Sequence, residues 1–383
     1  MPTFALTVLR MPKKLLKDID KHRRKFLWKQ DEEITGASCK VNWPTVCSPT
    51  THGGLGILDL ERFSRALRLR WLWIAWIDPG RPWVGTAPPC YDQDIALFAA
   101  ATTVTIGDGL TALFWHSRWI GCCTLAAAYP GLYNHSKRKR RTVREAIRDD
   151  NWIKDLRHGD MHPLLPEFIW LNRQIIAAAT MFSDGTRDTI RWNQEEKGQY
   201  TARSAYAMQF QGRLRSDTGG LIWKTWVPGN IKFFTWLLLK DRLWTNDRLQ
   251  RRGWPNSYFC QLCARSLESV HHLFWCCPTA LAVWSSVGSQ GGCSSLIPND
   301  LWKTLTSAQI MQGMVDAAPA ASRQGAKTII LLTCWAIWNE RNSCTFRGKM
   351  PAHTDIKRAI TSSIEHWRQA GAIGLQSPFW DPP

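Results

Sequence analysis

The sequence predicts a mainly α-helical protein with short β-hairpins, in which helical segments surround a small group of closely spaced cysteines and histidines. Apolar side chains recur at helical spacing in several segments, most clearly in residues 12–28, 60–77 and 326–342. Two short runs rich in β-type residues, 189–192 and 199–201, flank a glycine-containing turn and predict a hairpin. Helices should therefore form most of the core.

The helical pattern begins with residues 12–28, where leucines and isoleucines are interspersed with lysines and arginines. The next helix is ended by the turn Asp78-Pro79-Gly80, because proline and glycine interrupt helical hydrogen bonding. Residues 142–182 are also predicted to be helical. A linker of small residues at 288–295 then precedes three predicted helices, at 301–314, 326–342 and 354–370.

Four potential metal ligands lie within one short segment: two cysteines separated by two residues, then a histidine and a cysteine on a predicted helical turn. Three thiolates and one imidazole form a closed tetrahedral set that is typical of structural zinc. The alternative is a group of ordinary reduced core cysteines. His271 and Cys277 adjoin two of the predicted ligands, so spacing alone leaves a shift by one residue open. The predicted Zn²⁺ ligands are Cys260, Cys263, His272 and Cys276.

Composition favours a polyanionic partner. The 383 residues carry a formal net charge of +18 and include 23 tryptophans. The sequence has no apparent signal peptide and no apolar run long enough to span a membrane. Its 12 cysteines suit a reducing compartment, where metal ligation is commoner than disulfide formation. We therefore expect a protein of the nucleus or cytoplasm that is not secreted, binds no membrane and has no small-molecule substrate.

Two sets of basic residues are candidates for phosphate contacts. One set borders the apolar helix at 231–240, whose Phe233, Phe234 and Trp236 we assign to the core. The other is a run of five consecutive cations, which is also compatible with a nuclear-localisation patch or a solvated linker. The candidates are Lys232, Lys240, Arg242, Arg248, Arg251 and Arg252 in the first set, and Lys137, Arg138, Lys139, Arg140 and Arg141 in the second.

A family resemblance runs through the region around the cysteines. The segments Ile222-Trp223-Lys224, Ile231 to Leu237, Cys260-x-x-Cys263 and His272-Leu273-Phe274 resemble the zinc-binding region of plant non-LTR (LINE-type) retrotransposon reverse transcriptases. The resemblance is densest over residues 190–285. Weaker matches, such as Phe26-Leu27-Trp28, extend it toward both ends of the chain.

The resemblance implies four regions and a carboxyl-terminal position in a reverse transcriptase. These are a thumb-like helical remnant of the polymerase at 1–80, a connecting region with the basic run at 81–188, the reverse transcriptase zinc-binding domain at 189–286, and a linker with a helical carboxyl-terminal region at 287–383. It also implies a nucleic-acid partner. Both single-stranded RNA and single-stranded DNA are candidates, and the sequence leaves the oligomeric state open.

No catalytic motif of a reverse transcriptase is found. Two-metal phosphoryl transfer needs paired carboxylates, written in the family as aromatic-x-Asp-Asp, and the adjacent pair Asp149-Asp150 lacks the preceding aromatic residue. The sequence therefore predicts a non-catalytic zinc-binding fragment of a retroelement protein that binds element RNA or target DNA. The alternative is a structural or interaction scaffold, or an inherited fragment with no selected activity.

Overall fold

The structure, a computed structural model, describes residues 3–28, 39–157, 159, 162–178, 182–183, 185–290, 296–372 and 374–375. Within these residues the chain is mainly helical, which confirms the predicted fold class. The last five residues of the predicted linker at 288–295 lie outside the described part of the chain.

The α-helices, in chain order, are α1 (Thr3–Val8), α2 (Lys13–Trp28), α3 (Trp43–Val46), α4 (Leu60–Ile77), α5 (Asp92–Ala101), α6 (Leu125–Ala128), α7 (Pro130–His135), α8 (Val143–Ile147), α9 (Asn151–Lys154), α10 (Leu165–Ala178), α11 (Ala202–Ala207), α12 (Thr218–Ile222), α13 (Gly229–Leu239), α14 (Asn246–Gln250), α15 (Pro278–Gln290), α16 (Ser307–Ala317), α17 (Arg323–Arg347) and α18 (His353–Gln369). Not one of the helices described is both long and apolar enough to cross a lipid bilayer.

Two strands, β1 (Thr102–Thr105) and β2 (Thr189–Trp192), form an antiparallel sheet in which Thr102 lies opposite Trp192. The sequence paired β2 with residues 199–201 instead. In the structure those residues lead into α11, whose first turn is capped by the Thr201 hydroxyl. The Tyr200 ring packs on the Trp192 ring at 4.9 Å, so this residue serves core packing rather than strand pairing.

The chain divides into two compact units, one formed by Met1–Arg23 and Leu58–Arg213, the other by Arg24–Ile57 and Leu214–Pro383. The division into four regions that the resemblance implies remains a prediction. Each unit has its own buried apolar core.

The first unit has aromatic side chains and one buried carboxylate at its centre. Phe114 and Trp152 are stacked at 6.1 Å in its largest apolar cluster. Nearby, Asp188 accepts four backbone N–H groups from the loop that runs from Gly107 to Ala112, at 2.7 to 3.0 Å. Because a buried charge is costly unless it is hydrogen-bonded, this set of donors fixes the loop around the carboxylate.

The second unit is organised around α13 and α17. The α13 helix is apolar on nearly all sides because α17, α16 and α12 pack around it. Phe234 and Trp236 are buried as predicted, while Phe233 is half-buried and stacks on Trp236. The long α17 ends at Gly348, whose positive φ of 64° is the left-handed conformation that commonly closes a helix.

Candidate metal centre

The structure brings three cysteine sulfurs and one histidine nitrogen together in the second unit. Ligand atoms from Cys260, Cys263, His272 and Cys277 all lie within 4.8 Å of one another. The Cys260 and Cys277 sulfurs are 3.9 Å apart, and the Cys263 sulfur is 3.4 Å from His272 Nε2. A tetrahedral zinc ion with bonds of about 2.3 Å to sulfur and about 2.0 Å to nitrogen separates its ligands by roughly 3.5 to 3.8 Å. The group therefore fits Zn²⁺.

A short hairpin supplies the first two ligands. Phe259 bridges to Leu267, and the Cys260 N–H donates to Ser266 O at 2.9 Å. The turn between them is closed by a hydrogen bond from Ala264 N to Cys260 O, with Ala264 at a positive φ of 54°. This tight turn points both sulfurs toward the same position.

The other two members of the group are His272, which begins a π-helical turn, and Cys277, which follows it, and this corrects the predicted ligand set. The sequence placed Cys276, four residues after His272, in the site. In the structure the turn His272–Cys276 is wider, and Cys277 N donates to His272 O at 2.7 Å. A π turn adds one residue to each turn of helix, so the fifth residue rather than the fourth returns to the same face. Cys277 therefore completes the group of four potential metal ligands.

Cys276 contacts a different histidine. Its sulfur lies 3.4 Å from His271 Nδ1, and His271 Nε2 lies 3.2 Å from Leu305 O. Since that carbonyl can only accept a hydrogen bond, His271 Nε2 is the donor in this contact. Spacing alone left His271 and Cys277 open as alternative ligands. In the structure Cys277 belongs to the metal group and His271 does not.

Hydrogen bonding favours the thiolate form of one sulfur in the group, that of Cys277. The hydrogen bond from Cys260 lowers the pKa of the Cys277 thiol, with further contributions from His272 and from the N–H groups of Thr279 and Ala280, while burial opposes them. The two N–H groups belong to the first turn of α15, where backbone donors favour negative charge. The hydrogen bond to Cys277, together with burial, raises the pKa of Cys260. Zinc binding deprotonates all the thiols that it coordinates.

A buried ion pair between Arg341 and Glu268 connects the hairpin to α17. Arg341 of α17 is 1% exposed and Glu268 is fully buried, and Arg341 Nη2 donates to Glu268 Oε1 at 2.5 Å. The same carboxylate accepts the N–H of Asn246 at 3.0 Å, and the Asn246 side chain donates to Phe259 O at 2.9 Å. The hairpin, α14 and α17 are therefore joined through one polar network.

The basic residues near α13 that were predicted to contact phosphates differ in their exposure and in the groups that they contact. Lys232 donates to Trp223 O at 3.2 Å, Arg251 is ion-paired with Asp247, and Lys240 follows the last turn of α13. Arg242 is exposed. The guanidinium groups of Arg248 and Arg252 each lie 5.2 Å from the centre of the Trp244 ring.

The basic run at 137–141 lies in the first unit. Lys137, Arg138 and Arg140 are exposed, whereas Lys139 lies over the Tyr133 ring at 4.3 Å. Arg141 is ion-paired with Asp155, and its backbone carbonyl accepts the Phe114 N–H at 3.0 Å. Part of the run therefore contributes to local packing.

Sequence reasoning missed three residues that the structure places beside Arg248 and Arg252. Lys40 lies 5.8 Å from the Trp244 ring centre, and the Trp254 ring lies 5.0 Å from it. Lys40 is remote in sequence, so no local spacing could indicate it. The tryptophans could have been noted, because alternation of aromatic and basic residues is a signal for single-stranded nucleic acid.

Comparisons with known proteins agree with this location of the site. Residues 200–284 match the family model described as zinc-binding in reverse transcriptase. The chain is 26% identical over 416 aligned residues to an Arabidopsis thaliana protein named "Putative ribonuclease H protein", an alignment that covers 99% of this chain and 64% of that protein. The chain thus spans less than two thirds of the length of that relative. No solved structure matches the chain. These similarities support a retrotransposon-related protein with a zinc-binding region.

The prediction that this chain is not an enzyme is wrong. Almost the whole chain aligns with a protein whose name is that of a ribonuclease H, which points to a possible enzyme. The prediction rested on a search for short carboxylate motifs. Such a search does not test active sites whose residues are far apart in sequence and meet only in the folded chain.

Proposed function

We propose that this chain binds zinc and single-stranded nucleic acid as part of a plant non-LTR, LINE-type retroelement protein of the nucleus or cytoplasm. The proposal rests on one observation above all. A metal group that fits structural zinc lies in a basic second unit, within the region that matches the zinc-binding model of reverse transcriptases. The organism of the relative, a plant, agrees with the origin that the sequence motifs indicate.

The metal group supports binding rather than chemistry at the metal. Three sulfurs and one nitrogen would fill all four positions of a tetrahedral zinc ion, so no position would remain for a substrate or a reactive water. Zinc would hold the hairpin and the turn at 272–277 together, and a folded hairpin positions the basic residues that follow α13. The net charge of +18 supplies long-range attraction for phosphates.

Salt-dependent binding tests this function. Zinc-loaded full-length chain is titrated against labelled single-stranded RNA, single-stranded DNA and duplex DNA by fluorescence anisotropy at several salt concentrations. We expect affinity to fall with salt, with a slope of about 0.7 in log–log form for each phosphate contacted on a single strand. The Cys263→Ser variant, which removes a ligand, should bind more weakly than Cys39→Ser, which removes a cysteine outside the metal group. A wild-type chain that binds no nucleic acid at low salt would leave zinc with a purely structural role.

The relative's name adds ribonuclease H activity as a second candidate function. It is tested separately, by following cleavage of the RNA strand of a labelled RNA–DNA hybrid in the presence of Mg²⁺. Cleavage by wild-type chain that persists in Cys263→Ser would assign the activity to a site other than the zinc group.

A further inference from the structure

A cluster of cations surrounds one tryptophan beside the zinc hairpin. We define the Trp244 cluster as Lys40, Trp244, Arg248, Arg252 and Trp254. All three cations lie within 6 Å of the Trp244 ring centre, and the Trp254 ring is tilted by 40° to the Trp244 ring at 5.0 Å. Cations at this distance from an indole are held by its quadrupole. The cluster thus presents aromatic rings and positive charge in the same place.

The cations of the cluster are crowded. Burial lowers the pKa of Lys40, and the Arg248 guanidinium lowers it further. Burial also lowers the pKa of Arg248, with added repulsion from Arg242 and Arg252 that Asp241 and Asp247 only partly offset. Asp247 is itself ion-paired with Arg251. Packing like charges this closely costs free energy that an anionic ligand would recover.

The surface around the cluster is open and partly aromatic. Trp254 is 43% exposed, and Tyr258 and Phe259 of the zinc hairpin are each 50% exposed. Asn246, in the first turn of α14, hydrogen-bonds to Phe259 O and so joins the hairpin to the helix that carries Arg248. Large exposed aromatic side chains beside several cations are typical of surfaces that bind single-stranded nucleic acid.

We propose that the Trp244 cluster is a binding site for a short stretch of single-stranded nucleic acid, an inference that rests on the function proposed above. The exposed Trp254 stacks on an unpaired base, with Trp244 behind it. Lys40 and Arg252 bind the flanking phosphates, and the buried Arg248 adds positive potential beneath the ring.

Two features favour a single strand over a duplex. The bases of a duplex stack on one another and offer no free face to an indole, whereas every unpaired base does. Among the described residues, the helix that carries Arg248 spans only Asn246–Gln250, which is too short to project into a major groove and read base edges. RNA and DNA share the base and phosphate chemistry that this site would use, so the experiment includes both.

The test compares variants of the full-length zinc-loaded chain. Oligo(U), oligo(dU) and an abasic strand, each of about 15 nucleotides, are titrated by anisotropy at several salt concentrations. The variants are Trp254→Ala and Trp254→Phe for stacking and Lys40→Gln for charge. Arg347→Gln is the matched control, because it removes an exposed cation of the same unit at the end of α17. Zinc content of each variant is measured in parallel.

We expect Trp254→Ala to weaken binding of strands that carry bases by about 5- to 100-fold, with an unchanged salt slope, and Trp254→Phe to retain most of the affinity. The abasic strand should not distinguish these variants from wild type. Lys40→Gln should lower the salt slope by about 0.7 on all strands, and Arg347→Gln should change neither quantity. A larger loss of affinity on oligo(U) than on oligo(dU), which differ only in the sugar, would show that the site prefers RNA, and the reverse would show that it prefers DNA.

Different outcomes of this experiment would contradict the binding site at the Trp244 cluster and the proposed function of the chain. If wild type binds tightly and neither Trp254→Ala nor Lys40→Gln differs from Arg347→Gln, binding lies elsewhere and the cluster is not the site. If wild type binds none of the strands at low salt, the proposed function fails and this inference fails with it. Equal loss on abasic and base-carrying strands in Trp254→Ala would overturn the stacking role.

Discussion

Cys276 and Cys277 are sequence neighbours, yet only one of them lies in the metal group. The Cys277 sulfur is 3.9 Å from that of Cys260, whereas the Cys276 sulfur contacts His271. The backbone turn decides between them, since a π-helical turn displaces side chains by one residue relative to an α-helical turn. At this scale the backbone hydrogen bond from Cys277 N to His272 O distinguishes the cysteine that joins the group of potential ligands from its neighbour.

The first prediction uses this pair of residues. Cys277→Ser should lose stoichiometric zinc at neutral pH, because a hydroxyl is a poor replacement for a thiolate in a closed structural site. Cys276→Ser should retain zinc and serves as the matched control. Metal content after dialysis, measured by atomic absorption, checks both variants. Zinc loss in Cys276→Ser with retention in Cys277→Ser would restore the ligand set predicted from the sequence.

The second prediction concerns Asp188. Burial opposes its ionisation, but four backbone N–H donors outweigh burial and lower the pKa of the carboxyl below its ordinary value. A carboxylate with a depressed folded-state pKa stabilises the protein fully above its unfolded pKa of about 3.9, and this contribution is lost as the pH falls through the folded pKa.

Asp188→Asn should therefore destabilise the chain at pH 7 by about 2 to 3 kcal/mol, because an amide cannot accept from all four donors. Denaturant unfolding measured from pH 7 downward gives the difference in free energy of unfolding between wild type and variant. This difference should be constant to about pH 5 and should become smaller at lower pH. A difference that is the same at pH 7 and pH 3 would mean that the charge of Asp188 does not contribute.

At the scale of elements, α17 and the zinc hairpin depend on each other. Arg341 projects from α17 to Glu268, which follows the hairpin, and both side chains are buried. The residues that match the zinc-binding model end at 284, so the match does not include α17. The zinc module in this protein is therefore larger than the matched segment.

The third prediction follows from this buried pair. Arg341→Met should destabilise the second unit by about 3 to 5 kcal/mol, because the buried Glu268 carboxyl would lose the guanidinium group that pairs with it. The double variant Arg341→Met/Glu268→Gln should regain part of that loss, since removing both charges leaves no unpaired one. Thermal unfolding with zinc in excess compares the two. Equal destabilisation in single and double variants would show that packing volume, not charge pairing, dominates at this position.

At the scale of the whole chain, the two compact units hold their cores by different means. The first uses aromatic packing and the loop around Asp188, and the second adds a metal group to its apolar core. Structural zinc contributes about 10 to 16 kcal/mol of apparent binding free energy in small zinc peptides, so its removal should affect the unit that contains the ligands far more than the other.

The fourth prediction tests this difference by chelation. Removing zinc with EDTA should abolish hydrogen-exchange protection of the amides of Cys260, Ala264 and Cys277, whose hydrogen bonds close the hairpin and the π turn. The amides of Gly107, Gly109 and Ala112, which donate to Asp188, should stay protected. Exchange followed by mass spectrometry reports both regions in one experiment. Loss of protection in both would mean that the units unfold together.

Residue type and short-range spacing determined several properties of this protein from the sequence alone. The mainly helical class, the presence of a Cys3His set and the strong basic charge depend only on which residues occur within a few turns of each other, so these were predictable. The prediction that the chain is not an enzyme is contradicted by the ribonuclease H name of the aligned relative, and short carboxylate motifs do not test sites whose residues are far apart in sequence.

Tertiary structure decided the rest, because the decisive contacts join residues that are far apart in the chain. The π turn places Cys277, rather than Cys276, beside the two cysteine sulfurs of the hairpin. β2 paired with β1 across a long connection, Arg341 reached Glu268, and Lys40 came to lie over Trp244. Local propensity cannot specify such long-range pairs, since each is stabilised only when the cores that surround it are packed.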